Sequence, residues 1–190
     1  MKARDLEAEW ERAVSAVRQP HLDRIRALGV PATAIAAIGL THPAFGVVEA
    51  EGDRHGYYVP GAGALHVVQP VYEMGGLVDL VAWRSDNPAR WYLRTGLGWL
   101  LNADPCLFGG WNGHLLTLHA SPMEWLRAGA NGVSETGGVV LDWDAPDLTS
   151  LRAFDRIACG TPWLAATLKR ALARTQRLPA ITTAEVRHAA

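Results

Sequence analysis

The sequence predicts an α+β protein in which helices open the chain, an antiparallel β meander fills its middle and a βαβαβα unit with parallel strands closes it. Three observations carry this. Apolar residues recur at helical spacing before residue 40. Short strand-like runs separated by Gly, Pro, Asn and Asp occupy the middle. From Leu115 to Ala173, strand-length apolar runs alternate with amphipathic helical ones across short links, which favours a parallel, right-handed sheet. The corresponding segments are 1–40, 41–105 and 106–190, expected to pack as one unit.

In the first segment Leu6, Trp10, Ala13, Val14 and Val17 share a helix face, leaving Glu7, Glu9, Glu11, Arg12 and Arg18 for the other, and Pro20 is expected to stop the helix. Leu22, Ile25 and Leu28 mark a second helix ending at Gly29. Pro31 suits the first turn of a third, small helix reaching about Ile38. These apolar faces need the body of the protein to cover them.

The meander is expected in runs at Phe45 to Ala50, Tyr57 to Val59, Leu65 to Val68, Leu77 to Trp83, Trp91 to Thr95 and Leu97 to Leu101. Glu51-Gly52-Asp53, Pro60-Gly61, Gly75-Gly76 and Asp86-Asn87-Pro88 are turn chemistry. Alternation is clearest where Trp91, Leu93 and Thr95 take one face and Tyr92 and Arg94 the other.

The last segment begins with a short strand, Leu115 to Leu118. Ser121-Pro122-Met123-Glu124 then supplies an N-cap, a proline at the first helical position and the acid of a capping box. Gly129 ends that helix, Val139 to Leu141 form a buried strand, and Asp147 is placed to cap a helix bearing Leu148, Leu151 and Phe154. Arg156 to Ala158 make a third strand, and Thr161-Pro162 start a helix with Leu164, Leu168, Ala171 and Leu172 on one face.

Composition bounds the function classes. With 190 residues, 49% of them hydrophobic and 19% charged, the chain can bury a core, which excludes disorder throughout. A formal net charge of -1 supplies no global field for phosphate backbones, so nucleic-acid contact needs a local basic patch. Two cysteines are too few for a disulfide framework or a zinc site of paired thiolates. No run approaches the roughly 20 apolar residues of a membrane span, and the acid-bearing N-terminus does not read as a signal peptide. A cytoplasmic location without membrane contact is the expectation.

In open parallel sheets, sites form beyond the carboxyl ends of the strands. Those positions are His119 and Ala120, then Asp142 and Asp144, then Cys159, Gly160 and Thr161. With "LLTLHASPMEWLRAG" on a first strand and helix, "FDRIACGTPWLAATLKRAL" on a later pair, and "HLDRIRALGVPATAIAAIGLTHP" and "VDLVAW" ahead of them, the chain resembles the Toprim domain of phage-type primases and the region before it. In that family a Glu-Gly strand end and an Asp-x-Asp strand end hold magnesium for phosphoryl transfer. Here His119 takes the glutamate position, Ala120 the glycine, and Cys159 and Thr161 the two aspartates. The resemblance thus implies a protein of mobile-element or phage origin that has lost the catalytic carboxylates and the need for a cofactor.

"VVLDWDAPD" offers an alternative. Asp142 and Asp144 stand two residues apart at a strand end, on one side of an extended chain, and could hold magnesium; equally, they can serve as a turn before the following helix. His114 and His119 have no third ligand nearby in sequence and read as strand-edge histidines. Cys106 or Cys159 is a candidate nucleophile, Cys159 because a following helix N-terminus lowers a thiol pKa, or each is simply a structural cysteine.

Eight tryptophans are an enrichment. Trp83, Trp91 and Trp99 with Arg84, Arg90 and Arg94 suit a sheet face that grips a single strand by stacking and charge, or the tryptophans fill the core. Three functional readings follow. The first is a non-catalytic, primase-related protein binding single-stranded nucleic acid or a replication partner through Trp83, Arg84, Arg90, Trp91 and Arg94. The second is a magnesium-dependent phosphoryl-transfer enzyme using Asp142 and Asp144, with His119 as a further candidate. The third is a structural or assembly protein with an aromatic interaction surface.

Overall fold

The computed structural model of the chain describes residues 3–40, 42–108, 115–129 and 137–174. It bears out the α+β class, with helices, one antiparallel sheet and one mixed sheet containing parallel strands. Three helices open the chain: α1 (Ala3–Ser15), α2 (Gln19–Ala27) and α3 (Ala32–Ile38). Pro20 does not terminate α1. It lies in the first turn of α2, where its missing N–H has no intrahelical partner to lose. The Arg18 backbone N–H donates to His21 Nδ1 at 3.0 Å and closes that helix start. Pro31 is the N-cap of α3, one residue outside its first turn.

The meander comprises β1 (Gly46–Gly52), β2 (Tyr58–Pro60), β3 (Ala64–Glu73), β4 (Gly76–Arg84) and β5 (Asn87–Leu93), all antiparallel in the order β2-β1-β3-β4-β5. Asn87 and Pro88 lie inside β5, so the turn is shorter than its composition suggests. β3 runs past Val68 and through Pro70, with a register shift at Val71/Tyr72.

This sheet curls until its two edges touch. Tyr57 bridges Leu93, and the Leu93 N–H donates to Gly56 O at 2.7 Å. Gly52 makes the curl possible: a Cβ there would lie 2.3 Å from the Tyr92 ring. The concave face wraps α1, with Leu6, Trp10 and Ala13 packed against Ala50, Tyr58, Leu80, Ala82 and Tyr92. On the other face Val47, Val67, Val81 and Trp83 join one core with Ile25 of α2, Val30 of the link that follows it, and Ala34 and Ile38 of α3. Both faces are therefore covered.

The second sheet contains β6 (Leu100–Leu101), β7 (Leu115–Leu118), β8 (Gly137–Val140) and β9 (Arg156–Cys159), in the order β6-β8-β7-β9. β7 runs parallel to both β8 and β9, as the alternation predicts. β6, expected in the meander, instead pairs antiparallel with β8. Around this sheet lie α4 (Ala103–Phe108), α5 (Pro122–Ala128), a 3₁₀ helix (Pro146–Ala153) and α6 (Pro162–Arg174). The capping chemistry of α5 forms: Glu124 N donates to Ser121 Oγ at 3.2 Å, and Glu124 Oε2 accepts from Ala120 N at 3.0 Å.

One core cluster joins all three sequence segments, with Ile25 from the first, Trp83 from the second and Trp125, Leu126 and Val139 from the third. A second cluster lies on the other side of the parallel strands, where Leu116, Leu118 and Val140 meet Leu148, Leu151, Leu164 and Leu168. No helix of the described residues is long and apolar enough to cross a membrane.

Candidate functional site

The residues expected to form one stacking face do not assemble into an exposed one, although Trp83 and Trp91 are cross-strand partners. Trp83 is 0% exposed, with its Nε1 donating to Gln69 Oε1 at 2.9 Å. It is a core residue whose truncation to alanine is worth about 3–5 kcal/mol, and it is unavailable to a nucleic-acid strand. Arg94 Nε donates to both oxygens of Glu9 at 3.1 and 2.9 Å, and its guanidinium lies 5.8 Å from the Tyr58 ring centroid. It ties the sheet to α1. Arg84 Nε is bound to Asp86 Oδ1 at 2.9 Å, and Arg90 lies 5.1 Å from the Tyr92 ring centroid, both exposed. Strand alternation sends adjacent residues to opposite faces, and the cover over the sheet buries Trp83 while Arg84 and Arg90 stay exposed and Trp91 and Arg94 are half-buried.

The acids also differ from expectation. β8 ends at Val140, and a bend and turn follow, so Asp142 and Asp144 do not share one side of an extended chain. Asp144 N folds back to donate to Asp142 Oδ1 at 2.9 Å, and the Asp144 carboxylate lies 3.5 Å from Arg174 Nη2. Asp147 sits in the first turn of the 3₁₀ helix, whose N-cap is Ala145. His119 directly follows β7, with its backbone N–H on Gly138 O at 2.9 Å. Its Nε2 is buried without a partner, and burial holds the imidazole below its usual pKa despite the Glu124 charge.

Among the described residues no group of three or more His, Cys, Asp or Glu could hold a metal ion. His119, Cys159 and Thr161 offer imidazole, thiol and hydroxyl, whereas magnesium prefers carboxylate and water oxygens, so this set does not fit that ion. Burial raises the Cys159 thiol, outweighing the lowering by Lys169, and pushes Cys106 up to about 12; neither has the depressed pKa of a nucleophile. His114 lies outside the described residues.

Two residues from separate expectations do meet. Trp91 and Asp142 line one cleft of about 210 Å³ together with His55, Tyr57, Leu93 and Gly96. It lies between the closing edges of the curled sheet and the exit of β8, the rim where the parallel-strand rule places a site. Each wall has a local cause. Asp53 Oδ1 accepts from His55 N at 2.8 Å and Tyr57 N at 2.9 Å, which fixes the turn and lowers the Asp53 pKa, chiefly through the Tyr57 bond. Gly96 has φ +75, and a Cβ there would meet the Tyr57 ring at 2.6 Å. The exit of β8 is joined to the first sheet's loop by Leu141 N and Asp142 N, which donate to Trp99 O at 2.7 and 3.3 Å.

The loop bearing Gly96 is itself organised from the core. Asp79, 0% exposed, accepts through Oδ1 from Leu80, Arg94 and Thr95 N–H at 2.8, 2.9 and 2.9 Å. Its Oδ2 accepts from Leu97 and Gly98 N–H at 3.0 and 3.1 Å. A buried carboxylate thus finds its partners in backbone amides, the satisfied form of an otherwise costly burial.

The cleft can hold a flat ring. Tyr57 is 43% exposed and Trp91 half-buried, giving aromatic surface. With Oδ1 bound to Asp144 N, Asp142 retains Oδ2 as an acceptor. Arg54 Nε donates to His55 Nε2 at 3.1 Å, so the neutral ring carries its proton on Nδ1, a donor. The volume is below the about 300–1,000 Å³ of sites for drug-sized ligands and suits a single ring system. Sequence reasoning missed His55 and Tyr57. The Asp53 turn was legible, but only the curl of the sheet brings it beside Trp91.

Comparison with protein-family models, curated proteins and solved structures finds no match to this chain.

Proposed function

We propose that this chain is a non-catalytic, primase-related binding module that seats an unpaired base of single-stranded nucleic acid in the cleft lined by Tyr57, Trp91 and Asp142. The observation that carries the reading is the pairing of aromatic surface with a carboxylate acceptor in a cleft sized for one ring. Stacking supplies affinity without regard to sequence, and Asp142 favours a base with an exocyclic amino group, such as cytosine, over thymine. The exposed Arg54, next to His55, is a candidate phosphate contact. The non-catalytic character rests on His119, Ala120, Cys159 and Thr161 standing where the Toprim pattern has its metal-binding motifs.

Fluorescence anisotropy with labelled dC and dT 12-mers tests this. Binding is expected to weaken as salt rises, with a shallow slope of about -1 because few phosphates are contacted. dC is expected to bind more tightly than dT. Trp91→Ala should lose about 5- to 150-fold, the equivalent of about 1–3 kcal/mol of stacking. No binding at low salt, or Trp91→Ala equal to wild type, contradicts the reading.

A further inference from the structure

A second cleft, of about 370 Å³, lies between α2 and the opposite end of the β3–β4 pair. Its floor is apolar, with Ile25 from the helix and Val47, Leu65 and Val67 from the sheet. Its polar rim is formed by His21, Arg24, Arg84 and Asp86.

The hydrogen bonds around this rim leave it rich in donors. Arg24 spends only Nε, on Ser85 Oγ at 2.8 Å, which anchors the side chain across 61 residues of sequence and frees the rest of the guanidinium. Arg84 makes a two-pronged pair with Asp86, with Nε on Oδ1 at 2.9 Å and Nη2 on Oδ2. Both Asp86 oxygens are thereby engaged, and Arg84 Nη1 remains. The Arg18 backbone N–H donates to His21 Nδ1 at 3.0 Å, so the neutral imidazole carries its proton on Nε2, a further donor. Two guanidiniums against one carboxylate leave the rim with net positive charge beside an apolar floor.

We propose that this cleft binds an organic oxyanion, a phosphate monoester whose apolar or aromatic body lies on Val47, Leu65 and Val67 while its oxygens meet Arg24 and Arg84. A guanidinium fork matches phosphate oxygens, and an anchored one loses less side-chain freedom on binding. The half-exposed Leu65, 48% accessible on this floor, gains burial when the body docks. The same phosphate could belong to a free small molecule or to the 5′ end of a strand. The site shares no lining residue with the Trp91 cleft and does not rest on that cleft's reading.

Isothermal titration of the full chain with phenyl phosphate, and in parallel with 5′-phosphorylated and 5′-hydroxyl dT 12-mers, tests the assignment. At least one phosphate monoester should bind saturably. Arg24→Gln and Arg84→Gln should each weaken it about tenfold or more while circular dichroism and melting stay at wild-type values, and Trp91→Ala should leave phenyl phosphate binding unchanged. Tighter binding of phenyl phosphate names a small-molecule source; a 5′-phosphate gain over the 5′-hydroxyl strand that disappears in Arg24→Gln names the strand end. Should neither phenyl phosphate nor the 5′-phosphate show binding that depends on Arg24 and Arg84, the proposal is overturned. Retention of the anion site alongside failure of base binding at Trp91 would separate the two readings.

Discussion

Asp79→Asn tests how the core positions the Trp91 cleft. The substitution keeps shape and removes charge. Asp79 accepts three backbone N–H groups on Oδ1 and two on Oδ2. Asparagine does least harm with its oxygen at the Oδ1 position, which sets its NH₂ against the Leu97 and Gly98 amides, donor against donor. Two charge-assisted hydrogen bonds at about 1.5–3 kcal/mol each give an expected loss of about 3–6 kcal/mol. That is a large share of the about 5–15 kcal/mol that holds a domain folded. Urea denaturation of wild type and variant reads the loss as a shift in midpoint at constant slope. Amide exchange at Leu97 and Gly98 should accelerate more than in α1, because that loop loses its anchor first. A loss below about 1 kcal/mol, on the scale of a surface substitution, or equal acceleration in both places, refutes the reasoning.

Other expectations follow from the same geometry. Arg94→Ala leaves Glu9, whose side chain is 9% exposed, without its ion-pair partner, and should cost about 3–5 kcal/mol in urea denaturation; reduced oligonucleotide affinity at unchanged stability would instead make Arg94 a binding residue. His66 is 2% exposed, and burial is the main cause of its lowered pKa, with the Arg84 charge lowering and the Ala64 carbonyl and Asp86 raising it. A depressed folded-state pKa means this stability is present above the ordinary value of 6.5 and lost as pH falls below it. The drop in melting temperature as pH falls below 6.5 should therefore be smaller in His66→Phe, and identical pH profiles would remove His66 as its source.

The fold was largely legible because its signals are local. The Ser121-Pro122-Met123-Glu124 cap, the α1 face of Leu6, Trp10 and Ala13, and the parallel alternation after Leu115 each follow from residues near one another in sequence. What could not be read depends on long-range geometry. β6 looks like one more meander strand, yet Leu100 pairs with Val140. Trp83 and Trp91 both look like stacking residues and are direct cross-strand partners, yet Trp83 is sealed under the helices while Trp91 reaches a cleft. His55 and Tyr57 look like an ordinary turn until the sheet curls and Tyr57 bridges Leu93. Asp142 was visible from its position after a strand, whereas its place in the cleft accompanies the turn in which Asp144 folds back on it and reaches Arg174.

The most direct test of base seating is photocrosslinking from a single 5-iodo-deoxycytidine placed within a dT 12-mer, with the modified peptide identified by mass spectrometry. Adducts on Trp91 or Tyr57, reduced by unlabelled dC competitor and absent in Asp142→Ala, are the predicted result. Adducts confined to residues outside the cleft, or insensitive to competitor, would contradict the account.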